Sequence, residues 1–149
     1  MRRITRVLAR SIAACAVALG LFAALAGTSH AATASRGTSL LAVAHTRAGY
    51  WYAYGAAGPS AFDCSGLVFW SAAQLGLSLP RDTYGMLASS RLVRTYHPVA
   101  GDLAFYGPGH VEIVDRGHDV TFGAQQPGTR VGDHTWSAWW HPTMFFEVT

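Results

Sequence analysis

The apolar positions of this 149-residue chain follow three rhythms in succession. From Ser11 to Ala26 they form an almost uncharged run. Through the middle of the chain they recur at helical spacing, and from Asp102 onward they alternate. Leu40, Leu41, Val43 and Ala44 predict a helix over Ser39–His45, with Thr38 or Ser39 as its cap and Gly49 as its end. Tyr50 to Gly55 is aromatic and reads as extended chain. After a loop rich in glycine and proline, Leu67, Val68, Phe69, Trp70, Ala72, Ala73 and Leu75 predict a helix from Ser65 to about Gly76. Leu79-Pro80-Arg81-Asp82-Thr83 predicts a turn, with Asp82 or Thr83 capping a short helix over Tyr84–Ser90. Strands follow at Asp102–Tyr106, His110–Asp115, Val120–Phe122 and Thr143–Val148, separated by Gly107-Pro108-Gly109 and Arg116-Gly117-His118-Asp119. Helices first and an antiparallel meander second predict an α+β fold.

The first rhythm belongs to targeting. Four arginines precede the apolar run, and small residues close it. This is the pattern of a secretory signal peptide over residues 1–31, cut after Ala31 or after Ala34. The run is short for a membrane span. Cys15 sits too early in it for a lipoprotein cleavage site, so no stable membrane anchor is expected after processing. Residues 32–149 then make one exported domain of ordinary size, expected to act as a monomer.

Removing the leader changes the charge balance. The whole chain has a formal charge of +3, but seven of its eleven arginines remain after residue 31, against eight acidic residues. The basic balance therefore belongs to the leader and argues against a nucleic-acid partner. It also leaves Cys64 as the sole cysteine of an exported domain, where an internal disulfide is impossible and a free thiol marks reactivity or intermolecular pairing.

Cys64 lies where a loop enters a helix. Unpaired N–H groups and the positive end of the helix dipole favour a thiolate there. A thiol nucleophile needs a base. Among His45, His97, His110, His118, His134 and His141, His110 is the best placed, because it opens a strand straight after a Gly-Pro-Gly turn. A zinc site built on Cys64 lacks a ligand pair at metal spacing, and no cofactor is expected.

Five blocks then make a resemblance specific: Tyr52-Ala53-Tyr54-Gly55, Asp63-Cys64-Ser65-Gly66-Leu67-Val68, Leu79-Pro80-Arg81, Ala100-Gly101-Asp102-Leu103, and Gly109-His110-Val111-Glu112-Ile113-Val114. Together they resemble the NlpC-type family of cell-wall cysteine peptidases. The resemblance implies a papain-like fold, with the nucleophile at a helix N-terminus packed on an antiparallel sheet. It implies hydrolysis of an amide in the peptidoglycan stem peptide, of the D-glutamyl–diamino acid type, through a thioester at Cys64 with His110 as base. Tyr52, Asp63 and Ser65 match family positions for oxyanion or substrate contact, although Asp63 equally suits a helix cap. Arg81 suits either a substrate carboxylate or a salt bridge. Gly66 suits close packing of the helix, and Asp102 suits fixing the turn before its strand.

The chain departs from the family at the third polar position, the group that orients the base from the next strand. Phe122 or Gly123 falls there. Gln125 is the favoured substitute. Glu112, two residues along the strand from His110, is the second candidate, and a backbone carbonyl is the third. His118 and His134 read as surface residues. Trp136, Trp139 and Trp140 read as packing rather than a sugar platform. Two rival functions stand beside the peptidase: a secreted amidase or effector of the same fold acting on another amide, and a non-catalytic wall-binding relative.

Overall fold

The computed structural model describes residues 36–117 and 119–149. The leader, its two cleavage positions and His118 lie outside the described residues. The chain opens with helix α1 over residues 36–45. Thr38 and Ser39, expected as caps, sit inside it. Two short strands follow, β1 (Trp51–Tyr52) and β2 (Ala61–Phe62), paired in parallel. Next come helix α2 (Cys64–Gln74) and helix α3 (Thr83–Leu87), capped by Asp82. The remainder is strand: β3 (Leu92–Thr95), β4 (Leu103–Phe105), β5 (Val111–Val114), β6 (Val120–Gly123), β7 (Gly132–Thr135) and β8 (Met144–Val148). These six form one sheet in the order β3-β8-β4-β5-β6-β7, with every pairing antiparallel. The α+β architecture expected from the sequence is the one observed.

Alternation divides the sheet into two kinds of surface. Leu103, Phe105, Val111, Ile113 and Phe122 join one core with Leu40 and Ala44 of α1 and Leu67, Val68 and Ala72 of α2. Helix α2 packs on β5, which brings its N-terminus to the start of that strand. The intervening positions of β5 and β6 point the other way. Ile113 stands opposite Phe122 and Val114 opposite Thr121, so the register sets Glu112 against Gly123. On the next pairing Thr121 stands opposite His134. Glu112, Thr121 and His134 therefore share the face that the helical core does not use. Asp102 holds the turn before β4, with its carboxylate accepting the Val99 N–H at 2.8 Å.

The start of α2 is fixed from outside. The Asp63 carboxylate caps it by accepting the Gly66 N–H at 2.7 Å. The same carboxylate accepts the Gly55 N–H at 2.8 Å and pairs with Arg81 at 2.8 Å. Arg81 also donates to Ser65 Oγ at 3.0 Å and to the Ala56 carbonyl at 3.1 Å. The loop at Ala56 presses so closely on the first turn that a Cβ on Gly66 would lie 2.1 Å from the Ala56 carbonyl oxygen. Gly66→Ala is therefore expected to destabilise the fold by about 2 kcal/mol, read as a lower urea midpoint at unchanged slope. An unchanged midpoint would show that the loop yields freely.

Candidate active site

Cys64 is the first residue of α2, so its thiol sits over N–H groups that no earlier carbonyl can satisfy. It lines a cleft of about 470 Å³ with Tyr52, Asp63, Ser65, Arg81 and His110. The structure thus brings together five sequence-predicted residues: Cys64, His110, Tyr52, Asp63 and Ser65. Asp63 and Ser65 are both buried and both engaged with Arg81. The Asp63–Arg81 pair is the salt bridge of the two roles open to Arg81, and the carboxylate is a helix cap that also walls the cleft. Burial raises the Tyr52 hydroxyl above its ordinary pKa, reinforced by the charges of Cys64 and Asp63, so it stays protonated and able to donate.

His110 hydrogen bonds to the thiol. Burial works to raise the Cys64 pKa. The hydrogen bond and charge of His110, with the backbone N–H groups of Val111 and Ser65, outweigh it and hold the thiol below its ordinary value. His110 moves the opposite way. Burial works to lower its pKa, but the hydrogen bonds and charges of Cys64 and Glu112 push it up to about 9. A depressed thiol beside an elevated imidazole favours a thiolate–imidazolium pair.

The acceptor on the far side of the imidazole is Glu112, not Gln125. Glu112 Oε1 lies 3.2 Å from His110 Nε2. Gln125 lies beyond the end of β6 and lines a separate hollow with Gln126, Thr135, Ser137 and Trp140. The physical reason is strand parity. His110 directly precedes β5 and Glu112 is its second residue, so the two project to the same side of one extended segment. Gly123 on β6 leaves open the space that Glu112 fills, since a Cβ there would lie 2.5 Å from Glu112 Cγ. Phe122 turns to the other face and stacks on His45, with ring centroids 4.2 Å apart.

Glu112 has no exposed surface. Burial works to raise its pKa, but His110, His134 and Thr121 draw it down to about 2. Thr121 and Tyr106 direct their hydroxyls to Oε2, the latter at 3.3 Å. Tyr106 in turn is stacked by Trp140 at 4.9 Å, and Trp140 lies tilted against His110 at 5.5 Å. This aromatic cover shields the imidazole and its carboxylate from water. Trp139 is 94% exposed and packs no core. Sequence reading missed Tyr106 and placed His134 on the surface. Their positions became legible only with the sheet register.

Elsewhere among the described residues, His45, Asp115 and Asp133 bring potential metal-ligand atoms within 4.8 Å of one another. Arg116 already pairs with both carboxylates. No helix of the described residues is long and apolar enough to cross a membrane.

A model of the NlpC/P60 family matches residues 49–144. A probable endopeptidase of Corynebacterium glutamicum is 39% identical over 107 residues, covering 70% of this chain and 51% of that one. The bifunctional muramidase/DL-endopeptidase CwlT of Bacillus subtilis is 42% identical over 57 residues, covering 38% of this chain and 17% of that one. The crystal structure of the NlpC/p60 domain of the peptidoglycan hydrolase SagA superposes with a TM-score of 0.64 at 30% identity, covering 76% of this chain and 97% of that domain. The chain spans about half the length of the corynebacterial relative.

The pKa shifts set a reactivity profile. Iodoacetamide should label Cys64 with a midpoint below that of an ordinary thiol, because the thiolate persists once pH exceeds the depressed value. His110→Ala removes the main opposing influence and should move the midpoint up. Mass spectrometry of quenched samples reads both. A parent midpoint at or above a free thiol's would show that the thiol is not activated.

Proposed function

The chain belongs to the NlpC/P60 family, and from that premise we propose that it is an exported cysteine peptidase hydrolysing amide bonds in peptidoglycan stem peptides. The observation that carries this reading is the array Cys64–His110–Glu112 opening onto the cleft. The family supports peptidoglycan as the substrate, and a relative named as a DL-endopeptidase supports the bond after D-glutamate. Export rests on the leader pattern of residues 1–31.

In the proposed cycle the Cys64 thiolate attacks the scissile carbonyl. The backbone N–H of Cys64, with the Tyr52 hydroxyl as the second donor, receives the developing oxyanion. The imidazolium of His110 passes its proton to the leaving amine as the C–N bond breaks, which leaves a thioester on Cys64. Neutral His110 then takes a proton from water as that water attacks the thioester. The acid product departs, and the thiolate–imidazolium pair is restored. Glu112 holds the ring in the orientation both transfers require and stabilises it when charged. Its placement on the base's own strand fills the position that Phe122 leaves vacant, so the array is complete and favours an enzyme over a binding module.

The protein spanning residues 32–149 should release soluble stem-peptide fragments from peptidoglycan, with the cut bond identified by mass spectrometry. Cys64→Ala should abolish release. If both proteins bind walls and neither digests, the wall-binding alternative wins; digestion of a different amide points to the amidase reading. Glu112→Ala should lower kcat by roughly a hundredfold, whereas Gln125→Ala should leave it close to the parent. The rate should fall as pH rises through about 9, because His110 then loses the proton it must donate. The reverse ranking of the two substitutions would return the orienting role to Gln125.

A further inference from the structure

Glu112 Oε1 is shared. His110 Nε2 approaches it at 3.2 Å, and His134 Nδ1 on β7 approaches it at 2.9 Å. The second imidazole is thus the nearer of the two, and its side chain is only 15% exposed. Its strand is poor in apolar residues, so packing alone does not explain why this side chain turns inward. The β6–β7 register sets His134 opposite Thr121, whose hydroxyl is itself directed at the same carboxylate. A carboxylate that steers a base must not swing. With Thr121 and Tyr106 on Oε2, and Gly123 supplying room but no wall, His134 is the only contact besides His110 that fixes Oε1 among the described residues.

We propose that His134 is a positioning residue of this site, acting on His110 through Glu112. Its ring fixes the oxygen on which the His110 ring depends, so the alignment of His110 on Cys64 is set from two strands away. The proposal deepens the peptidase reading of the same site, but its first test needs no peptidoglycan.

The test compares His134→Leu, which keeps bulk and loses the ring nitrogens, with His134→Asn, whose amide can reach the place of Nδ1. Both are made in the parent and in Glu112→Gln. The readouts are iodoacetamide labelling of Cys64 against pH and hydrolysis of a purified muropeptide. His134→Leu should raise the labelling midpoint and lower kcat roughly tenfold with KM held. His134→Asn should restore most of both. In Glu112→Gln the His134→Leu change should add almost nothing, because its route is gone. A parent-like profile in folded His134→Leu, or the same loss in both backgrounds, overturns the proposal. If His134→Leu does not fold, imidazole nitrogen NMR of the unaltered protein decides. The His134 Nδ1 signal should carry the shift of a nitrogen bonded to a carboxylate, and an unbonded Nδ1 refutes the proposal. Should labelling show the coupling while no muropeptide is cut, the positioning role stands and the substrate reading fails.

Discussion

A carboxylate with no exposed surface is the constraint around which this site is built. Taking an ionised group out of water costs several kcal/mol, and only dense hydrogen bonding offsets it. Glu112 meets that demand with hydrogen bonds from the His110 ring, Thr121 and Tyr106, and with the His134 ring at ion-pair distance. Thr121 and His134 are placed by the β6–β7 register, and Tyr106 and His110 by the backbone hydrogen bond that closes the β4–β5 turn. The sheet is therefore more than a support for the cleft: its pairing pattern satisfies the buried charge, and the charge in turn raises the affinity of His110 for its proton.

The second anchor is Asp63, which does the corresponding work for the helix. One carboxylate caps α2, holds the Gly55 loop and pairs with Arg81. The thiol's position thus depends on three pieces of chain meeting at one side chain. These two acids divide the labour: Asp63 sets where the nucleophile begins, and Glu112 sets how the base lies.

Much of this was legible from residue order. The loop-to-helix transition announced Cys64, and the turn before β5 announced His110. The elements that escaped have a common physical reason. Strand β7 is Gly-Asp-His-Thr and carries no apolar residue, so hydrophobic periodicity is silent there. Strand β3 lies at the sheet edge with two exposed positions, and β2 is two residues long. With β7 unseen, His134 had no reason to turn inward. The preference for Gln125 came from seeking the orienting group on the strand after the base. Parity along β5 and the missing side chain at Gly123 pointed to Glu112, but the cross-strand pairing that joins them is a long-range fact that a linear pattern does not record.

The placement of His110 and Glu112 two residues apart on one strand has a consequence for how the site tolerates change. A base and an orienter on neighbouring strands stay aligned only while the connection between those strands keeps its length. Here their separation is a property of one extended peptide segment. The connection between β5 and β6 can change length without moving one against the other. The part of the apparatus most sensitive to angle is thereby uncoupled from the length of that connection.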